Sequence, residues 1–521
     1  MNALGMLLVI GALGAHAPVS VSRSALLFGV SLGVEFTADG ARLVFDHFDS
    51  STGQWQLCTV PSDGSGPVVT IDVVGPGYDF KTSADGSRIV YLTPGCFQFV
   101  RSIAADGSGV PVTLGSFFNQ CDGDAPFLVS PDGTRAAFKQ DDYSYYTAPT
   151  DGSLAPLPLS RPEGDYVPVG EIGPLGTHFY YVVRVIEDVP PFGNYAPALC
   201  RTALAGSGDV ELLSAFPAQW TFYGVSDFVL APDESLVVYR SQVSSTDYTL
   251  QSVPADDSAP PTLLSTTLVT TPFLFLQLTG ATNRVVYLAT DALDGSTDLH
   301  SVPVDASAAQ VRLSALPSTT RRVGSFALSP DGRWVVYLAD EIADEVYQLH
   351  CVPVDGVGPR LVLNAPLAAG GDVSEFRISP DGARLVYLAD QAQDGVSELF
   401  SVPMPSSCKA RRADERLVKL SGPLPAGGDA FGSFAFTPDG ARVVFQASAA
   451  NGTTQVYSRA TDGSTPRLAL SEPHAPTGTD SFRVSSLGLV AFQADVSSHQ
   501  ELWVIPADGS GAAVHLNPGQ P

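Results

Sequence analysis

Lysine is almost missing from this chain: only Lys81, Lys139, Lys409 and Lys419 occur in 521 residues. Lysine and arginine together number 28 against 54 acidic side chains, a formal net charge of −26. Nucleic-acid binding rests on basic side chains neutralising phosphates, so that class of partner is excluded, and an anionic membrane surface with it. Six cysteines are too few for a scaffold built on disulfides, and without a Cys-x-x-Cys no zinc site is expected. After the first residues no apolar run approaches the roughly 20 residues that a membrane-spanning helix needs. Catalytic signatures are missing too. There is no Gly-x-Ser-x-Gly nucleophile elbow and no Gly-x-x-x-x-Gly-Lys phosphate loop, and runs such as Gly206-Ser207-Gly208 are turn glycines. Little lysine beside much Ala, Gly, Pro and Arg fits a GC-rich bacterial source, which locates no function.

What the chain does have is a repeat. Ser329-Pro330-Asp331-Gly332 follows the apolar run Ser325 to Leu328 and opens the alternating run Val335-Val336-Tyr337-Leu338. A polar loop and a third run, Tyr347 to Val354, lead to a second pair, Asp355-Gly356, and a last run, Arg360 to Leu363. Short β-branched and aromatic runs separated by Asp-Gly pairs read as strands joined by tight hairpins, the glycine supplying a positive φ. Each unit is therefore a four-stranded antiparallel meander.

The turn aspartate recurs at Asp39, Asp85, Asp132, Asp331, Asp381 and Asp439, with Asp233 in Pro-Asp-Glu. Worn copies at Pro174-Leu175-Gly176, Gly280-Ala281-Thr282 and Ser485 to Gly488 bring the total to ten. Most copies lie 46 to 50 residues apart; one interval shortens to 43 and two stretch to 58, around insertions at 187–195 and 405–415. Four strands repeated at this period indicate a propeller blade, since one blade buries little until neighbours stack and the ring closes. The fold expected is all-β: a β-propeller of about ten four-stranded antiparallel blades in one ring, with two smaller rings as the alternative.

The pattern Ser-Pro-Asp-Gly-x-x-Val-Val-Tyr, followed by Leu-x-Ser-Val-Pro-x-Asp-Gly, resembles the WD40-like Pro-Asp (PD40) repeat propellers, which include TolB and the propellers of prolyl-oligopeptidase-type peptidases. The resemblance covers nearly all of the chain after about residue 30 and implies the fold rather than a function, because similar blades serve scaffolds, substrate filters and some lyases. The related peptidases also need an α/β-hydrolase domain, for which this chain has no room.

Met1 to Ala17 holds Leu7-Leu8-Val9-Ile10 and ends in Ala15-His16-Ala17, the pattern of a secretory signal peptide, although a basic n-region is missing. The propeller is assigned to 18–521, in the periplasm or outside the cell. Cys96 and Cys121 fall in loop types that emerge on one face of a propeller, which makes them the disulfide candidate. Cys58, Cys200 and Cys351 lie inside third strands and read as buried thiols; Cys408, in the second insertion, reads as exposed.

An acidic residue recurs just ahead of the inner strand: Asp79, Asp124, Asp227, Asp372, Asp429 and Asp480, with Asp165 in the worn fourth copy. The resemblance extends to this feature, since TolB-like repeats carry Asp or Asn there. Each carboxylate can simply cap its own turn. Together they can also form an acidic ring at the channel mouth that draws in a cationic protein or peptide. A second register, Arg42, Arg88, Arg135, Arg284, Arg384 and Arg442, suggests local Asp–Arg pairs on the opposite face. His300 and His350 occupy equivalent third-strand positions; Phe400 holds the same place in the next copy, so packing explains them better than a metal. No cofactor is expected, although the acidic loops Asp291 to Asp298 and Asp390 to Asp394 offer oxygen ligands for calcium without EF-hand spacing. The reading is an exported, monomeric, non-enzymatic binding or scaffold module. The alternative is a carbohydrate-active lyase or hydrolase with a site at the central channel.

Overall fold

A computed structural model describes residues 33–516 apart from 50–51, 76–79, 96, 119–126, 141–143, 161–165, 188–193, 207–209, 215–223, 245–246, 270–275, 280–281, 291–296, 317–320, 406–416, 450–452, 473–481 and 497–498. Forty strands run in sequence order as ten antiparallel four-stranded meanders, and the described residues include no helix. The blades span 34–74, 80–118, 127–158, 166–212, 225–269, 276–312, 323–362, 373–419, 430–469 and 482–515. One bridge, Val269 to Thr290, joins the outer strand of blade 5 to blade 6. Every blade is made of four consecutive strands, so the ring closes without an exchanged strand.

The turn that opens each blade explains its sequence. In blade 7 Ser329 Oγ donates to Asp331 Oδ1 (2.5 Å) and accepts the Trp334 N–H (2.9 Å), while Asp331 Oδ1 also accepts the Arg333 N–H. Gly332 N–H closes the turn on the Ser329 carbonyl (2.8 Å) at φ 65°. The same bonds recur around Asp39, Asp132, Asp381 and Asp439. Hydroxyl, carboxylate and glycine are thus three parts of one device.

Stacking does the rest. Ten apolar clusters are present, one at each boundary between successive blades. At the last of them Val34, Phe36, Leu43 and Val60 of blade 1 pack against Ala491, Leu502, Val504 and Leu516 of blade 10. Ser486 Oγ of blade 10 donates to the Ala38 carbonyl of blade 1 (2.7 Å). A pair of smaller rings would leave a boundary without such a core, so the chain forms one ten-bladed ring. First strands of adjacent blades lie against one another, which places them around the central axis.

The arginine register differs from the expected Asp–Arg pair. Each guanidinium Nε donates to a hydroxyl in the middle of the third strand: Arg42 to Thr59, Arg88 to Ser102, Arg135 to Thr147, Arg284 to Ser301, Arg384 to Ser401 and Arg442 to Ser458, at 2.7–3.1 Å. Arg42 and Arg442 also reach a carbonyl of the next blade, Ala105 and Ala507. The turn carboxylate is already engaged by hydroxyl and amide, so the arginine tethers strands and blades instead.

Candidate functional site

Two sets of connections emerge on one face: those from the fourth strand of one blade into the first strand of the next, and the hairpins between second and third strands. Three of the acidic positions expected there are described. Asp227 Oδ1 accepts the N–H of its neighbour Phe228 (2.9 Å), the expected local cap. Asp372 and Asp429 do something different. Asp372 of blade 8 accepts the Tyr347 N–H of blade 7 (2.7 Å), and Asp429 of blade 9 accepts the Ser397 N–H of blade 8 (2.9 Å). Each fastens its own blade to the start of the preceding third strand. Asp79, Asp124, Asp165 and Asp480 lie outside the described residues, as do Cys96, Cys121 and Cys408. Cys58, Cys200 and Cys351 are buried.

Asp372 has like charges around it. Partial burial raises its pKa, and the charges of Asp390, Asp394 and Glu345 raise it further against the opposing Tyr347 N–H. Asp390 and Asp394 belong to the second-to-third strand hairpin of blade 8 and Glu345 to that of blade 7. Four carboxylates therefore meet at the boundary of blades 7 and 8. Asp390 Oδ1 accepts the Asp372 N–H and its Oδ2 the Gly395 N–H, so this loop spends both oxygens on its own backbone. Among the described residues no group of three or more His, Cys, Asp or Glu is arranged to hold a metal ion.

Deeper in the channel the first strands add residues that the acidic register missed. Burial, then the charge of Asp227, pushes the Glu171 carboxyl up to about 7. Asp227 is itself raised by burial, with Arg240 opposing. Glu375 is buried; Arg377 holds its Oε1 through two bonds of 2.9 and 3.1 Å and lies over the Phe434 ring of blade 9 (5.0 Å). Lys81 donates to the Phe127 carbonyl of blade 3 (2.8 Å). The channel wall is thus of mixed sign, while the rim at blades 7 and 8 is acidic. Aligning the copies on the inner-strand phenylalanine would have revealed Lys81, Glu375 and Arg377, which flank Phe80 and Phe376, whereas the strand that holds Glu171 has no phenylalanine to align.

The described histidines do not converge. His300 and His350 stack on Tyr287 and Tyr337 within their own blades (5.6 and 5.2 Å), as Phe400 does on Tyr387 (5.5 Å). These are packing positions, as the equivalence in sequence implied. His350 is buried, with its pKa lowered by that burial.

No family model and no curated protein matches this chain. Solved structures do. Porphyromonas gingivalis dipeptidyl peptidase 4 is 12% identical over 90% of this chain, with a TM-score of 0.48. The chain spans 65% of that peptidase's length. A TolB-like protein of Agrobacterium tumefaciens is 16% identical over 59% of this chain and 81% of its own, with a TM-score of 0.28. A manganese-bound oligogalacturonate lyase is 15% identical over 80% of this chain and 96% of its own, at 0.36. The likeness is one of fold. No helix among the described residues is long and apolar enough to cross a membrane.

Proposed function

We propose that this propeller, of the Pro-Asp-repeat type, is an exported, non-enzymatic module that binds a protein or peptide partner on the face carrying the acidic connections. The observation that carries this reading is the crowding of Asp372, Asp390, Asp394 and Glu345, with Asp372 pushed upward by its like-charged neighbours as well as by burial. Repulsion of that kind is relieved by a cationic group brought from outside, and an acidic rim raises the local concentration of such a partner. Histidines held in separate blades are consistent with binding rather than with a catalytic centre.

The test is capture of partners from envelope and secreted fractions, using residues 18–521 as bait. A second bait carries Asp79, Asp124, Asp227, Asp372, Asp429 and Asp480 changed to Asn, which keeps an oxygen acceptor for the N–H groups bound by Asp227, Asp372 and Asp429. A partner captured by the wild type alone and released by salt supports the reading. Equal capture by both baits, once both are shown to be folded, overturns it.

A further inference from the structure

The outer strand of a blade exposes an unpaired edge, and in this chain one device keeps most of those edges short. In blades 3, 4, 6, 8 and 9 the fourth strand lasts two residues: Leu157–Pro158, Glu211–Leu212, Val311–Arg312, Val418–Lys419 and Leu468–Ala469. A serine follows each. Its Oγ accepts a third-strand N–H: Ser160 from Tyr145, Ser214 from Leu199, Ser314 from Leu299, Ser421 from Leu399 and Ser471 from Val456, at 2.9–3.3 Å. Asn364 does the same for Leu349 in blade 7 (2.8 Å). A side chain that takes the amide removes the rung on which the ladder would continue.

Blades 1 and 2 lack the device. Asp72 and Gly115 stand at the equivalent positions, and their fourth strands run on as Val69–Val74 and Val112–Phe118. Asp72 turns away from the ladder and accepts from Tyr91 and Arg101 of blade 2, both at 2.8 Å. Blade 5 has a third long strand, Thr262–Val269, whose far end is paired to blade 6. Among the described residues, Val69–Val74 pairs only with the third strand of its own blade.

Aromatic side chains flank that edge from two sides. Trp55 stands opposite Val74 and packs on Phe48 at 5.5 Å, and Trp55 lies against the core shared with blade 2. From blade 2, alternate residues of Phe97–Ala104 point back: Arg101 reaches Asp72, Phe99 lies against Arg101 at 5.7 Å, and Phe97 is 61% exposed. Aromatic side chains of both blades therefore stand at the boundary of blades 1 and 2, beside a long edge that pairs, among the described residues, with its own blade alone. The edge of blade 2 is instead packed closely on blade 3 at Gly115, where a Cβ would lie 2.2 Å from the Phe138 ring.

We propose that the outer edge of blade 1 binds an extended, basic segment of a partner protein, which adds as a fifth strand along Val69–Val74 and lays alternate side chains against Trp55 and Phe97. Backbone N–H and C=O groups along the edge supply attachment that does not depend on sequence. Trp and Phe faces attract ammonium and guanidinium groups, and a chain of net charge −26 selects basic segments over acidic ones. This surface is independent of the acidic mouth.

The probe is a fluorescent, end-blocked heptapeptide, Lys-Val-Lys-Phe-Lys-Val-Lys. One control has Glu in place of Lys, and another is N-methylated at alternate residues. The full chain is expected to bind the basic peptide at least tenfold more tightly than either control, with slowed amide exchange across 69–74. Phe97→Ala, at an exposed site, and Trp55→Ala are each expected to weaken binding severalfold, while Asp372→Asn with Asp429→Asn leaves it unchanged. The proposal is overturned by no binding of the basic peptide, by equal binding of the N-methylated copy, by protection elsewhere than 69–74, or by loss of binding in the mouth variant.

Discussion

Closure of the ring can be tested with two glycines of blade 1 that share a backbone conformation but differ in surroundings. Gly53 has φ 69° and nothing within 4 Å of the position a Cβ would take. Gly64 has φ 70°, and its Cβ would lie 2.5 Å from Val514 Cγ1 of blade 10. Alanine at either site bears the left-handed backbone cost of about 1–2 kcal/mol. At Gly64 it must also displace Val514, which adds about 1–3 kcal/mol of overpacking. Gly64→Ala is therefore expected to lose about 1–3 kcal/mol more than Gly53→Ala, read from urea midpoints at a common slope. Val514→Ala in the Gly64→Ala background should recover most of that excess, because the pair is coupled through one contact. Equal losses at the two glycines, or no recovery in the double variant, would refute the packing of blade 10 on blade 1.

Four further outcomes are expected. Glu171 has a folded-state pKa of about 7, above its ordinary value of 4.5. Its ionisation therefore opposes folding: no penalty exists below about pH 4.5, and the penalty is complete above about pH 7. Glu171→Gln should thus stabilise the protein at pH 8 by up to about 3 kcal/mol and leave it unchanged at about pH 4, as measured by denaturation at the two pH values. Ser314→Ala and Ser421→Ala each leave a buried N–H without its acceptor and should cost about 1–2 kcal/mol in the same assay. Asp372→Ala should lose a similar amount by orphaning the Tyr347 amide, whereas Asp372→Asn should be near neutral at about pH 7 because it keeps the acceptor and removes a repelled charge. Arg42→Met should destabilise more than Arg333→Met in thermal melts, since Arg42 ties Thr59 and the Ala105 carbonyl together while Arg333 is exposed at its turn.

Much of this architecture was legible because the repeat writes its turns in residues with narrow conformational uses. Asp331-Gly332 and Asp355-Gly356 predicted the hairpins where they occur, and ten copies predicted ten blades. Even the worn copies kept their geometry: Asn283 and Glu234 take the positive φ that glycine supplies elsewhere, at 49° and 52°. The roles of individual side chains were less legible, because they depend on the neighbouring blade. The charge of Asp39 does act on Arg42, but the hydrogen bonds of Arg42 go to Thr59 and to the Ala105 carbonyl, which lies in the next copy of the repeat. For the same reason the sequence offers a cap of their own turns or an acidic ring for Asp372 and Asp429 but not the bond that each makes back to the preceding blade. Glu171 and Glu375 carry no such signal, because both lie inside first strands, away from the turn residues that mark the repeat.

Repetition also suggests where function resides in a ring of this kind. A device present in most blades, such as the Ser-Asp-Gly turn or the arginine tether, answers a structural need that every blade shares, and loses its value as a functional marker for that reason. Departures from the common pattern carry more information. Replacing the strand-ending serine with Asp72 leaves a longer edge unpaired, a liability that most blades here avoid. Setting Glu171 against Asp227 puts two carboxylates where burial raises both. Crowding Asp390, Asp394 and Glu345 around Asp372 adds repulsion that its backbone bond does not require. Each departure works against stability, and all three lie at the channel or on exposed edges where a partner can reach them.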